Sequence, residues 1–204
     1  VLDPQDNQPY FFVHIDNTDD PDLNDGTFEN PFDSITQAFA EAELTAFQED
    51  VFLVHGGSTF TGDEATLVVP ENSILLGENV PGRPQTLQAV GLGPLELPVA
   101  NPDAGPVILT GSSGTTIDAT NARLVGALTI VDPGLHGLLV DGPSGLAIPQ
   151  LFRDLDIQGA DGDGVLFDNA SGNFTLERVT VQADDGIDGA SGVAFHVMGG
   201  NATI

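Results

Sequence analysis

The sequence predicts an all-β fold, a parallel β-helix of about three short strands per coil with one helix near its N-terminus. Three observations lead there. The first is repetition between Asn121 and Ile204. Leu128-Thr129-Ile130, Leu155-Asp156-Ile157 and Val179-Thr180-Val181 form one column of apolar runs. Gly137-Leu138-Leu139-Val140, Gly164-Val165-Leu166-Phe167 and Gly192-Val193-Ala194-Phe195 form a second, and Leu146-Ala147-Ile148, Phe174-Thr175-Leu176 and Ala202-Thr203-Ile204 a third. Their steps of 24 to 28 residues are a solenoid period. The second observation is that each run is too short and too alternating for an amphipathic helix and is bounded by Gly, Asp, Asn or Ser. The third is that the Leu-x-x-Leu-x-Leu-x-x-Asn pattern of a leucine-rich repeat, which shares this period, is missing. One coil cannot bury its own inward face, but coils stacked about 4.8 Å apart pair every strand with its equivalents and make a continuous core.

In chain order, residues 1–9 read as an irregular lead-in, and the aromatic and β-branched run Tyr10 to Ile15 as the first strand. An acidic loop follows, with Asp16, Asp19, Asp20, Asp22 and Asp25 beside Asn17 and Asn24. Several carboxylates on one flexible segment are what calcium requires. The loop departs from an EF-hand, because Gly26 is one place late and Pro31 stands where the bidentate Glu belongs. Ser34 with Gln37 makes a capping box for a helix over residues 34–47, whose apolar face is Ile35, Ala38, Phe39, Ala42 and Ala46. Its expected place is across the open end of the first coil. Strands are predicted at 51–55, 67–69 and 74–77, then a Pro-rich inserted loop at 78–106, then strands at 107–109 and 115–117. The domain division is therefore 1–50 for the strand, acidic loop and helix, and 51–204 for the coils. Ile204 falls inside a strand and Val1 is not Met, so the reading expects the coils to continue beyond residue 204.

Charge limits the functions available. Asp and Glu number 31 against four Arg and no Lys, a formal net charge of -27. Such a surface repels nucleic acid and anionic membranes. It suits solubility in a salty or calcium-rich medium, or cation binding. There is no Cys, and no run of 18 apolar residues to span a membrane.

The second acidic cluster lies in the repeats. Asp161 and Asp163, with Asp184, Asp185 and Asp188, fall in the same inter-strand loop of successive coils, so their carboxylates should approach one another. They are candidate calcium ligands or an acid–base pair. Tight turns demand the same residue types, because Asx side chains satisfy turn amides and Gly accepts positive φ. His14, His55, His136 and His196 show no metal spacing and read as structural. Arg153 and Arg178 read as salt partners of the acidic loops. Asn173 and Asn201 are placed in equivalent turns, where amides could stack.

Tyr10-Phe11-Phe12-Val13, Asp25-Gly26-Thr27-Phe28-Glu29-Asn30-Pro31-Phe32, Val51-Phe52-Leu53-Val54-His55-Gly56-Gly57 and Asn72-Ser73-Ile74-Leu75-Leu76-Gly77 follow one another in an order that carries a resemblance. So does Asn121-Ala122-Arg123-Leu124-Val125-Gly126-Ala127-Leu128-Thr129-Ile130. The chain resembles the pectate-lyase-like right-handed parallel β-helix domains of large bacterial surface proteins, including autotransporter-like and planctomycete-type passengers. The resemblance implies a right-handed coil and a secreted or cell-surface location. In that family lyases use Asp-bound calcium with an Arg or Lys base, and hydrolases use paired Asp.

No catalytic residue is assigned. The leading expectation is a non-catalytic, structural or adhesive β-helical segment, forming a stalk or fibre. Its partners would be other copies, or the rest of its own chain, stacked coil on coil. The alternatives are a polysaccharide lyase or glycoside hydrolase on the acidic loops, and a calcium-dependent module that binds acidic or neutral polysaccharide.

Overall fold

Short runs of β-branched and aromatic residues between Gly, Asp and Asn dictate brief strands joined by tight corners. The computed structural model, which describes residues 2, 9–18, 24–42, 49–78, 84–89, 91, 93–100, 102–143, 149–182 and 193–204, has that organisation. The strands are β1 (Tyr10–Ile15), β2 (Glu49–Val54), β3 (Thr59–Thr61), β4 (Leu67–Val68), β5 (Ile74–Gly77), β6 (Thr86–Ala89), β7 (Gly93–Glu96) and β8 (Val107–Thr110). They continue as β9 (Ile117–Asp118), β10 (Leu124–Val131), β11 (Leu138–Pro143), β12 (Gln150–Gln158), β13 (Val165–Gln182), β14 (Phe195–Met198) and β15 (Asn201–Thr203). Helix α1 (Ile35–Ala42) lies between β1 and β2.

Thirteen strands form one parallel sheet that curls around the core, and β6 and β7 form a separate antiparallel pair. Three ladders run through the parallel sheet. In the first, Val13, Phe52, Leu75, Val125, Phe152 and Leu176 stand in register on β1, β2, β5, β10, β12 and β13. In the second, Phe60, Leu109, Ile130, Ile157 and Val181 align. In the third, Leu67, Ile117, Leu138, Val165 and Phe195 align. All but the exposed Phe195 belong to, or pack against, one buried apolar cluster.

The corners between ladders recur at fixed positions. Ala127, Asp154 and Arg178 all have positive φ (59°, 51° and 55°) at equivalent places on the neighbouring strands β10, β12 and β13. A non-glycine residue there costs roughly 1–2 kcal/mol. At this corner Arg178 repays part of that strain by a bidentate pair with Asp154, Nε to Oδ1 at 2.6 Å and Nη2 to Oδ2 at 2.8 Å. Arg178 is thus a salt partner of a corner on the neighbouring strand rather than of the acidic loops the sequence suggested, and Arg153 donates to the Thr86 carbonyl instead.

Helix α1 is capped by Ser34, whose hydroxyl accepts the Gln37 amide at 3.1 Å. Ile35, Ala38 and Phe39 are buried, and Phe39 meets Phe52 edge-on with ring centres 4.6 Å apart. The expected continuation of the helix over 43–47 lies outside the described residues.

The Pro-rich segment is not a structureless excursion. It carries the β6–β7 hairpin, and Leu87 and Leu97 pack on the outer side of the first ladder against Val51, Leu53, Ile74, Leu76 and Leu124. Tyr10 Oη donates to Gln88 O at 3.0 Å and Arg153 Nη2 to Thr86 O at 2.7 Å, which holds the hairpin down. Glu78, buried at the base, accepts the Gly56 and Ala100 amides.

Two alignments differ from the sequence reading. The partner of Phe174 is Gln150, so β12 supplies the strand expected at 146–148, which lies outside the described residues. Phe195, not Val193, stands over Val165, and Asn201 pairs with Ser171 rather than with Asn173. The expected Asn173–Asn201 stack is therefore not formed. No described helix is long and apolar enough to cross a membrane.

Phe152→Ala should cost about 3–5 kcal/mol in urea unfolding, because the fully buried ring leaves a cavity. Thr175→Ala, at an exposed position in the same ladder, should stay within about 0.5 kcal/mol.

Candidate functional site

One carboxylate from each acidic cluster, Asp16 and Asp163, faces histidine. At the N-terminal end β1 and β2 finish side by side, and the Ile15 carbonyl accepts the His55 amide at 2.8 Å. His14 Nδ1 lies 3.0 Å from His55 Nε2, and His55 Nδ1 lies 3.3 Å from Asp16 Oδ2. A carboxylate facing Nδ1 fixes the proton there. His55 Nε2 is then the acceptor and His14 Nδ1 the donor. Asp16 Oδ1 also accepts the Thr18 amide (2.9 Å), the Thr18 hydroxyl (2.7 Å) and the Ser58 hydroxyl (3.4 Å). Phe28 packs against both imidazoles, with ring centres 5.3 Å and 5.7 Å away.

Burial, reinforced by the charge of His55 and opposed by Glu29, pushes the His14 pKa down to about 4. Burial alone would raise that of Asp16, but the Thr18 hydroxyl and amide and His55 outweigh it and hold the carboxyl below its usual range. Asp, His and His in line can pass a proton. Ser58, however, donates to the carboxylate instead of an imidazole, so these four residues do not form a nucleophile–base–acid triad.

The second constellation joins the segments that lead into β11, β13 and β14. His136 and Asp163 lie 27 residues apart, and the Asp163 amide donates to His136 Nδ1 at 3.0 Å. The Val193 amide donates in turn to Asp163 Oδ1 at 2.8 Å. Each segment thus offers a side-chain acceptor to an amide of the next. Asp163 Oδ2 is 2.9 Å from His196 Nδ1 and 3.8 Å from His136 Nδ1. Burial works against the Asp163 carboxylate, yet the Val193 amide and the two imidazoles hold its pKa below the usual range.

The candidate metal ligands fare as follows. Asp16 and Asp25 each open a turn in which Oδ1 accepts the amide and hydroxyl of the Thr two residues on, at 2.9 and 2.7 Å and at 3.0 and 2.7 Å. Asp118 and Thr120 repeat it. Asp161 is exposed, and Asp163 is committed to the histidines. Asp19, Asp20, Asp22, Asp184, Asp185 and Asp188 lie outside the described residues. Among the described residues, no group of three or more His, Asp or Glu side chains is arranged to hold a metal ion. The sequence reading missed the histidines. The step from His136 to Asp163 equals the 27-residue coil step from Leu138 to Val165, and that was the available signal.

Asp50 is a third perturbed group, which the sequence reading did not single out. It is buried, its Oδ1 has no hydrogen-bond partner among the described residues, and burial raises its pKa to about 6.

Opposite pH dependences follow. The folded pKa of His14 is depressed, so its contribution is present above about 6.5 and disappears as pH falls towards 4. The stability gap between the parent and His14→Gln should therefore close over that window. The folded pKa of Asp50 is raised, so its contribution is present below 3.8 and is lost as pH rises through about 6. Asp50→Asn should melt higher than the parent above pH 6 and gain nothing near pH 4, in thermal scans at each pH.

Comparison with family models, with curated proteins and with solved structures finds no match to this chain, so its functional reading rests on its own residues.

Proposed function

We propose that this chain is a non-catalytic segment of a parallel β-helix, three strands to a coil, whose exposed apolar β14 face docks a second copy of the chain. The observation that carries this reading is the uncovered inward column at β14. Phe195 and Val197 stand over the buried Val165 and Phe167, yet remain 45% and 49% exposed. Met198 and Ile204 are exposed beside them. An apolar face in register with the core, on strands that pair only with β13 among the described residues, is a template for docking a further β-surface. The axial ladders, spaced as successive coils, support the solenoid. The resemblance to pectate-lyase-like domains supports a right-handed coil and a secreted or cell-surface setting.

Neither His–Asp constellation favours catalysis. In the first, the carboxylate takes the hydroxyl; in the second, the imidazole and carboxylate accept amides of the next coil. Calcium enters this reading through the acidic residues between 16 and 25 and between 161 and 188. A polysaccharide partner is retained only as an outcome of the tests.

Sedimentation of the purified chain should show concentration-dependent association, stronger in added salt because screening weakens repulsion between chains of net charge -27. Val197→Lys should abolish it while changing stability by no more than about 0.5 kcal/mol, since the side chain is half exposed. A chain that stays monomeric at all salt concentrations, or one that depolymerises polygalacturonate or alginate, would overturn the reading. Calcium bound only by the folded chain should raise the melting temperature. Superimposable curves in calcium and in chelator would remove the metal from the account.

A further inference from the structure

The outer side of the first ladder holds a cavity unlike the rest of the molecule. It has a volume of about 130 Å³ and lies between the sheet and the β6–β7 hairpin. Its floor is the in-register trio Ile74, Leu124 and Leu151, Leu87 forms one wall, and Arg123 and Arg153 border it. The chain has 31 carboxylates and four arginines. Yet two of the four arginines line this one cavity, and among the described residues no Asp or Glu lines it.

The cations are held in place by the fold. Arg123 is 7% exposed. Arg153 sits in the outward column over Gly126, where an added Cβ would lie 2.9 Å from the Arg153 Cγ. Glycine therefore lets the Arg153 stem lie flat and reach the Thr86 carbonyl. That single hydrogen bond leaves Arg153 Nε buried with no partner among the described residues. Asp154 and Glu177 act on this guanidinium through space, but its buried Nε–H still has no acceptor among the described residues, and a carboxylate in the cavity would add a charge-assisted partner on that side.

We infer that this cavity is a binding site for a small monocarboxylate with an apolar body, its carboxylate beside Arg123 and Arg153 and its hydrocarbon on Ile74, Leu124 and Leu151. Size and lining select the ligand class. A cavity of about 150 Å³ lined by aliphatic side chains takes benzene, so this one suits a ligand of about six non-hydrogen atoms. The apolar floor disfavours a body covered in hydroxyls, which would lose its hydrogen bonds to water. Planar, two-oxygen carboxylates match guanidinium donors in shape as well as charge.

The test follows the methyl resonances of Ile74, Leu87, Leu124 and Leu151 by NMR during titration at constant ionic strength. Isobutyrate is the probe, isobutyramide its neutral control, and galacturonate a carboxylate with a polar body. Isobutyrate should give saturable shifts at these methyls and isobutyramide none. Leu151→Phe, which fills the cavity and leaves both arginines in place, should weaken binding by about tenfold or more. Arg153→Met should do the same. Because Arg153 also anchors the hairpin, the Leu151 variant keeps the test decisive if Arg153→Met loosens the fold. The inference fails if isobutyrate gives no saturable shift, if isobutyramide matches it, or if Leu151→Phe leaves the affinity unchanged. A stronger response to galacturonate would overturn the apolar-body assignment.

Discussion

Everything in this structure depends on axial register: an inward side chain on one strand must land on an inward side chain of the strand beneath it. A slip of one residue would turn a strand's apolar set outward, because side chains alternate with period two. Where ladders meet, neighbouring strands must turn together to keep both ladders in register, and that requirement explains the strained corners. The Ala127, Asp154 and Arg178 corner is one. A second runs through Gly142, Asn169 and Gly199, all with positive φ, and the Asn169 side chain lies over Gly199, where a Cβ would come within 2.6 Å of it. Gly137 and Gly164 serve the same end without positive φ. A Cβ on either would lie 2.5 Å or less from Ile157 or Val181 of the second ladder. Glycine is needed there because the backbone crosses the core at van der Waals distance.

The same stacking decides where polar side chains can be buried. A corner leaves amides and carbonyls that no strand satisfies, and they must be met by a side chain from a neighbouring coil. Gln150 does this for an earlier corner, donating to the Ala119 carbonyl at 3.0 Å while only 1% exposed. His136 and Asp163 do it for later ones. These two side chains are therefore explained by the backbone they satisfy. The lowered pKa of the Asp163 carboxyl follows in part from the Val193 amide it accepts, so that shift is weak evidence of chemistry.

How much of this could be read from the sequence follows from the range of each interaction. The columns Leu128–Leu155–Val179 and Leu138–Val165 were legible because alternation and period are local, repeated signals. So was the Ser34 cap, which is set within four residues. Two errors share a cause. Leu146-Ala147-Ile148 and Val193 are apolar and correctly spaced, but the ladder residues are Gln150–Phe152 and Phe195. Loop length between coils varies, and hydrophobicity alone cannot say which of two nearby apolar residues completes a column. The hairpin at 86–96 was hidden for another reason. Pro and Gly mark turns strongly, and they masked two four-residue strands that pair only with each other. The histidine contacts were illegible as motifs because His14 and His55 are 41 residues apart in the chain and meet only once β1 and β2 pair.

Positive charge is used here as internal fastening. Arg83 lies outside the described residues, and the other three arginines all sit at joints. Arg178 ties two corners, Arg153 reaches across Gly126 to hold the hairpin, and Arg123 borders the same outer cavity. With 31 acidic residues against four arginines, the chain as a whole carries a strongly negative field. Such a chain binds a diffuse counterion atmosphere and resists close approach of another copy until salt compresses the field to about 10 Å or less. Apolar contact at the β14 end acts only at touching distance. Any docking there is therefore gated by ionic strength: the long-range term opposes it and the short-range term rewards it. The two terms sit on different parts of the molecule, so they can be varied independently, by salt for the first and by the side chain at Val197 for the second.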